Sequence, residues 1–196
     1  AVLFDDGSFV MLGQGDYANR NRTDGFLVRF DANANIDTQF DGDTDDGDHY
    51  VKVAFDATDS VETNVEQLEI LSDGSFVIAA YDNSNNQSKL LKVIEDSQNA
   101  GQFLVDTSFD NAIDNDANAY ISLDLSSLSQ FGGAQAWIRD MKVDSNNNLL
   151  IVGDGDFDGH SLGFMAKLNG KTGTYDETFG QFSSPGYFVL GGRTGC

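Results

Sequence analysis

Residues Leu68–Ile78, with the sequence LEILSDGSFVI, join two apolar runs through an Asp-Gly turn. The same pattern occurs as Val2–Val10 (VLFDDGSFV) and as Met141–Ile151 (MKVDSNNNLLI). An Asp-Gly pair between apolar runs predicts a β-hairpin with a type I′ turn, because both central residues of that turn need positive φ. Asn tolerates positive φ better than other non-glycine residues, so Asn146-Asn147 predicts the same turn in the third copy.

Two further markers follow each hairpin. One is a strand with a central cation and, after it, an Asp-Thr-x-Phe signature; the other is a strand that begins with Tyr. The cation strands and signatures are Phe26–Phe30 with Asp37–Phe40, Lys89–Val93 with Asp106–Phe109, and Phe164–Leu168 with Asp176–Gly180; the Tyr strands are Tyr50–Val53, Tyr120–Leu123 and Tyr187–Leu190. The signature Phe recurs after 69 and 70 positions and the Tyr after 70 and 67. The agreement indicates three units, with approximate bounds 1–66, 67–137 and 138–196.

Each unit holds about four short strands, and no segment sustains a helical period over 12 residues. A four-stranded antiparallel sheet cannot cover both of its faces alone, so such units must stack or arrange radially. The nearly continuous apolar runs Phe76–Ala80 and Leu149–Gly153 predict strands that are covered on both faces. The sequence therefore predicts an all-β fold of β-propeller-type repeats, with about three four-stranded antiparallel blades.

Three blades are fewer than the four to eight of a closed propeller. We expect the chain to be a fragment of a larger ring. Two alternatives stay open: two copies of the chain close a six-bladed ring as a homo-oligomer, or the units stack linearly.

The combination of hairpin, apolar strand, cation strand and signature resembles the delta-60 repeat, a family of propeller-like repeats in bacterial and often secreted proteins. Asp106–Phe109 (DTSF) matches that signature most closely, Asp37–Phe40 (DTQF) matches it less well, and Asp176–Gly180 (DETFG) carries an additional Glu. The resemblance spans nearly the whole chain, although the units here are longer. It implies a fold and a secreted or cell-surface setting, and it implies no catalytic residues.

The formal net charge is −21, from 32 acidic and 11 basic residues. Such a surface repels nucleic acid, since phosphate contacts need clustered Lys and Arg, and it disfavours anionic membranes. No apolar run approaches the roughly 18 residues of a membrane span. The acidic residues either bind divalent cations or form a solvated surface suited to a salty, calcium-containing medium.

Calcium is the ligand that the sequence supports best, because hard cations take six to eight oxygen ligands and alternating Asp residues present carboxylates together. Residues 154–159 (DGDFDG) resemble the start of an EF-hand-type or integrin-type loop, although Met165 stands in place of the completing acid. Two acidic stretches also follow the signature Phe at matching offsets. The predicted ligands are Asp154, Asp156 and Asp158; Asp41, Asp43 and Asp45; and Asp114, Asp116 and Asn118. The alternative is that Asp and Asn simply populate turns here.

The central cations Arg29, Lys92 and Lys167 are predicted to be outward positions paired with nearby Asp residues; lining an anion-attracting channel is the alternative. No G-x-S-x-G elbow or similar motif accompanies the two histidines, and the many Asp residues lie in loop-like contexts that do not suggest a buried catalytic pair.

The sequence thus predicts a non-enzymatic structural or interaction module, calcium-stabilised, of a secreted or cell-surface bacterial protein, with a protein or carbohydrate partner. One alternative is a carbohydrate-binding or adhesive module, which an exposed aromatic residue beside an acidic loop would indicate. The other is part of a propeller enzyme, a hydrolase or polysaccharide lyase, whose catalytic residues lie partly outside this chain.

Overall fold

The structure is a computed structural model that describes residues 1–15, 23–42, 48–53, 63–83, 87–109, 120–123, 135–157, 160–181 and 184–190. Within these ranges the chain forms strands and turns and contains no helix. The strands assemble into three antiparallel sheets, which confirms the predicted all-β fold.

Sheet 1 has the strand order β1 (Val2–Leu3), β2 (Phe9–Gly15), β3 (Asp24–Phe30) and β4 (Val51–Val53). Sheet 2 contains β5 (Thr63–Ile70), β6 (Phe76–Asp82), β7 (Gln87–Glu95), β8 (Phe103–Val105) and β9 (Tyr120–Ser122). It is four strands wide, because β8 and β9 pair with opposite ends of β7.

Sheet 3 is built from the last third of the chain. Its strands and the small hairpin beside it are β10 (Gln135–Val143), β11 (Asn148–Phe157), β12 (His160–Asn169), β13 (Gly180–Gln181), β14 (Ser184–Pro185) and β15 (Tyr187–Leu190). The sheet has the order β10-β11-β12-β15, and β13 pairs with β14.

The three sheets share one topology. In each, the two hairpin arms come first, then the cation strand, then the Tyr strand. The second hairpin arm meets the cation at equivalent pairs: Val10 with Arg29, Val77 with Lys92, and Leu150 with Lys167. The predicted unit bounds 66/67 and 137/138 fall inside β5 and β10, which begin a few residues earlier.

The hairpins form as predicted, but their turn type differs from the type I′ prediction. In each turn one residue alone has positive φ: Gly7 at 85°, Gly74 at 84° and Asn147 at 66°. The amide of that residue donates to the carbonyl three residues earlier, at 3.0 Å in all three copies. This geometry is a type I turn followed by a left-handed residue, which closes a hairpin as well as a type I′ turn does.

Sheet 2 lies between the other two sheets. Alternate residues of a strand point to opposite faces, so its two faces enter two different cores. One face packs against sheet 1 through Val10, Leu27, Phe40, Val51, Val53, Leu68, Phe76, Ile78, Ala80, Leu91, Val93 and Phe103. The other packs against sheet 3 through Leu71, Val77, Ala79, Leu90, Phe109, Ile121, Leu123, Ala136, Ile138, Met141, Leu149, Ile151, Phe164, Ala166, Leu168 and Tyr187.

The two strands that were predicted to be covered on both faces, β6 and β11, differ in how far their side chains are buried. Residues 76–80 of β6 are completely buried, as expected for a strand between two cores. In β11, by contrast, Leu149 and Ile151 are buried while Leu150 and Val152 are partly exposed. The prediction fails for β11 because no described residues form a sheet over the outer face of sheet 3. None of the three described sheets closes on itself.

Candidate functional site

The outer face of sheet 1 is an apolar surface. We call the following residues the sheet 1 outer face, since their cross-strand pairs place them opposite the core: Leu3, Phe9, Met11, Phe26, Val28, Phe30 and Ile36. Leu3 is 74% exposed, Met11 46% and Ile36 51%. The rings of Phe9 and Phe30 stack with their centroids 5.0 Å apart. These side chains form one continuous patch.

The outer face of sheet 3 carries a second group of apolar residues, which lies beside the charged residues Lys142, Asp154 and Lys167 on the same face. Its apolar residues, the sheet 3 outer face, are Leu150, Val152, Met165, Phe188 and Leu190. Phe188 is 38% exposed and Leu190 52%. Of the six large exposed hydrophobic residues in the described ranges, five lie on these two faces and only Leu104 lies elsewhere.

Both outer faces have covered equivalents inside the chain. On sheet 2 the residues that correspond to Phe188 and Leu190 are Ile121 and Leu123, which are 1% and 0% exposed against sheet 3. The residue that corresponds to Met11 is Ile78, which is fully buried against sheet 1. Equivalent positions are therefore buried wherever a neighbouring sheet is present.

The Asp-Thr-x-Phe signature is a turn fastened to the cation strand. In the middle unit the Asp106 amide donates to the Lys92 carbonyl at 2.8 Å, and the Lys92 ammonium lies 3.5 Å from the Asp106 carboxylate. The corresponding ion pairs are Arg29 with Asp37 at 3.6 Å and Lys167 with Asp176 at 3.2 Å. Pairing with Asp is as expected, but Lys92 is buried between two sheets rather than outward-facing.

The turn also positions its Phe. Phe40 is buried between sheets 1 and 2, and Phe109 is buried between sheets 2 and 3. Phe179 follows the same turn, in which its amide donates to the Asp176 carbonyl at 2.9 Å. It is only partly buried, because the described chain has no fourth sheet for it to pack against.

A cavity of about 340 Å³ lies on the sheet 1 outer face. Its lining includes the apolar side chains of Phe26, Val28 and Ile36, together with His49 and Tyr50. The rings of Phe26 and Tyr50 are 6.0 Å apart and inclined at 59°. The exposed lining of the cavity is predominantly apolar, and Asp48 and Lys52 are among its polar lining residues, so it suits a small ligand that presents an apolar face.

The predicted calcium ligands Asp154 and Asp156 lie in strand β11, not in a loop. The Arg139 guanidinium binds both carboxylate oxygens of Asp154, and this hydrogen bonding lowers the pKa of that carboxyl. A cation at Asp154 would have to displace Arg139. Asp158 lies outside the described residues, so the calcium assignment for this set stays a prediction.

The other two predicted calcium sets are only partly described. Asp41 is the first residue after the signature Phe, and its backbone bridges to sheet 2: its carbonyl accepts from Phe103 at 2.7 Å. Asp43, Asp45, Asp114, Asp116 and Asn118 lie outside the described residues. Among the residues that are described, no three His, Cys, Asp or Glu side chains gather as a metal site.

A buried ion pair between sheets 1 and 2 has no counterpart in the sequence predictions. The Lys89 ammonium lies 2.5 Å from the Asp82 carboxylate and 3.9 Å from the centre of the Tyr120 ring. Lys89 is 3% exposed and Asp82 is completely buried. The sequence feature that could have indicated this ion pair is an Asp and a Lys on either side of the β6–β7 turn. Asp82 forms the last cross-strand pair before that turn, with Gln87, and Lys89 follows two residues later.

Comparison with known proteins finds no matching family model, no similar curated protein and no similar solved structure. The resemblance to the delta-60 repeat therefore rests on the sequence motifs alone. Within the described residues, no helix has the length and apolar character needed to cross a membrane.

Proposed function

We propose that the chain is a structural or interaction module of the β-propeller repeat type, from a secreted or cell-surface bacterial protein, and that it works by packing further sheets against its two outer faces. The observation that carries the proposal is the pair of apolar outer faces, whose equivalents are buried wherever a sheet covers them.

Physical chemistry supports this role. Contiguous exposed apolar patches mark interaction surfaces in soluble proteins, whereas isolated exposed hydrophobic residues are ordinary. Covering such side chains releases about 25 cal/mol per Å² of apolar surface. A protein with a net charge of −21 has abundant polar residues for its surface, so two apolar faces at opposite ends of one stack indicate contact surfaces.

The polar groups on which the fold depends also support a structural role. Lys89 and Asp82 neutralise each other between sheets 1 and 2, and Lys92 and Asp106 do so at the edge of the second core. Asp144 caps a hairpin turn, where hydrogen bonds led by the Asn148 side chain lower its pKa to about 2. Each of these charges holds an element in place.

A tandem chain tests the proposal. Two copies of the sequence joined by a flexible linker place the sheet 3 outer face of the first copy within reach of the sheet 1 outer face of the second. If equivalent sheets stack as proposed, the tandem chain should melt at a higher temperature than the single chain, because stability in stacked repeats gains one interface term per junction. Amide exchange should slow in the β12 and β15 strands of the first copy. A tandem that melts like the single chain would contradict the proposal.

A carbohydrate-binding module is the second candidate, and the cavity beside Tyr50 favours it. Phe26 and Tyr50 provide aromatic faces, while Asp48 and Lys52 provide polar groups at the same cavity. A glycan array would test it with wild type, Tyr50→Ala and the control Phe188→Asp, which alters the opposite end of the stack. Binding that Tyr50→Ala abolishes and Phe188→Asp retains would support this candidate; an array without binding would exclude the glycans tested.

A further inference from the structure

We infer that the sheet 1 outer face binds the sheet 3 outer face of a second copy of this chain, in a head-to-tail contact. The inference rests on the proposed function and names its partner. It follows from the two sheet-to-sheet interfaces within the chain, which give the contact its polarity.

Both internal interfaces join the same two kinds of face. In each interface, one sheet contributes the face that carries its central cation, and the next sheet contributes the face that lacks it. Val10 and Leu27 of sheet 1 thus share a core with Ile78 of sheet 2. In the same way, Val77 and Leu90 of sheet 2 lie in the core that sheet 2 shares with sheet 3. The stack therefore ends in one uncovered face of each kind. The outer face of sheet 3 is the face that carries the cation, Lys167. The outer face of sheet 1 is the face without the cation, which in the internal interfaces packs against the cation-bearing face of the preceding sheet.

The signature Phe supports the same polarity. Phe40 packs between sheets with its ring centroid 4.5 Å from that of Phe103 and 6.1 Å from that of Phe76. Phe9 of sheet 1 corresponds to Phe76, because both begin the second hairpin arm. In the head-to-tail contact, Phe179 of one copy takes the place of Phe40, and Phe9 of the next copy takes the place of Phe76.

A contact between unlike faces is heterologous, so an open assembly keeps one free face at each of its two ends and can grow unless a ring closes. Net charge opposes the association, since every copy carries −21. Salt screens that repulsion and leaves the burial of apolar surface in place. Association should therefore increase with sodium chloride concentration, which is the opposite of an association driven by ion pairs.

Sedimentation velocity of the chain over a range of protein and salt concentrations tests the inference. Wild type should form species heavier than the monomer, increasingly so at higher salt. Met11→Asp and Phe188→Asp each place a charge on one of the two faces, and each variant alone should stay monomeric. Leu104→Asp is the matched control: it changes an exposed Leu away from both faces and should associate like wild type.

Mixing the two variants gives the sharpest result. Met11→Asp keeps an intact sheet 3 outer face and Phe188→Asp keeps an intact sheet 1 outer face, so an equimolar mixture should form a one-to-one dimer that grows no further. Circular dichroism of each variant checks that the sheets still form.

Two results would overturn the inference: wild type that stays monomeric at every concentration and salt, or folded variants whose mixture does not pair. The melting temperature of the tandem chain distinguishes failure of this inference from failure of the proposed function. If the tandem gains stability while separate copies do not associate, the faces stack but the partner is not a second copy. If neither effect occurs, both proposals are wrong.

Discussion

The Lys89 ammonium and the Asp82 carboxylate form an ion pair that is almost completely removed from water. Taking one charge away leaves the other buried, which typically costs about 3–5 kcal/mol. We predict that Asp82→Asn lowers the free energy of unfolding by that amount. The double variant Asp82→Asn with Lys89→Met should recover much of the loss, because no buried charge remains.

Urea unfolding of wild type, both single variants and the double variant gives the coupling energy of this pair. Ser97→Ala, at an exposed turn far from the pair, is a suitable control for the effect of substitution itself. Losses that simply add in the double variant would show that the two charges do not depend on each other.

Glu66 is a carboxyl group whose folded environment disfavours ionisation. Burial raises its pKa, although the Ser88 hydroxyl donates to its carboxylate at 3.3 Å. A raised pKa means that the stability contribution of Glu66 is complete below its unfolded-state value, about 4.3, and is lost as pH rises through the folded value. At pH 7 the ionised Glu66 is therefore destabilising.

We predict that Glu66→Gln raises the melting temperature at pH 7 and that this gain disappears as pH falls towards 4. The reason is that Gln has nearly the same shape as Glu and can still accept the hydrogen bond from Ser88, but it is uncharged. Protonated Glu66 is also uncharged, so the two proteins should differ little at low pH. Thermal melts of both proteins from pH 4 to pH 8 measure the difference. Glu95→Gln, on an exposed Glu at the end of β7, is the control. A gain that is constant with pH would contradict the explanation by ionisation.

At the scale of the elements, the hairpin turns depend on one left-handed residue each. Gly74 has a φ of 84°, and an added Cβ would have no atom within 4 Å, so substitution there tests backbone strain without steric overlap. We predict that Gly74→Ala costs about 1–2 kcal/mol, the usual penalty for an L-residue in that conformation. Gly74→Asn should cost less, since Asn147 holds the equivalent position in the third hairpin.

Urea midpoints of the two variants measure this difference, with unchanged slopes showing that the unfolded state is not altered. Equal losses for Ala and Asn would indicate that the turn selects glycine for another reason. A loss well above the usual penalty for left-handed backbone would contradict the explanation by backbone strain alone.

Much of the element structure could be predicted from the sequence because local patterns determine it. Asp-Gly between apolar runs predicted the hairpins, and the recurring markers predicted three four-stranded sheets. The predicted turn type was wrong because a type I′ turn and a type I turn with a following left-handed residue both place Gly after Asp. The two differ in the φ of the residue before Gly, which the sequence does not determine. The segment Asp154-Gly155-Asp156 was expected as a loop, yet cross-strand pairing with β10 and β12 holds it in β11.

The candidate site could not be predicted in the same way. Met11 and Phe188 have the same character as Ile78 and Ile121, which are buried, so the sequence gives no local sign of which residues are uncovered. Exposure depends on the position of each sheet in the stack. Likewise, recurrence of Arg29, Lys92 and Lys167 indicated a common role, but their partners became clear only once the signature turn lay beside the cation strand.

At the scale of the whole molecule, two opposing requirements meet. Apolar faces at both ends of the stack favour association, while a net charge of −21 keeps copies apart and destabilises the compact chain by self-repulsion. Divalent cations would relieve that repulsion far more efficiently than sodium if they bind at defined carboxylates. We choose the set that begins at Asp41 for the prediction, because Asp41 directly follows the signature Phe and its backbone is fixed to sheet 2.

We predict that calcium stabilises the chain through that set. Calcium at 100 times its dissociation constant should raise the free energy of unfolding by about 2.7 kcal/mol relative to the chain in chelator. Melts in magnesium at equal concentration, and in sodium chloride at equal ionic strength, separate site binding from general screening. The double variant Asp43→Asn with Asp45→Asn should lose the calcium increment while Asp154→Asn keeps it. If calcium and sodium chloride raise the melting temperature equally, the acidic residues act only as a solvated surface, and salt concentration alone governs both stability and association.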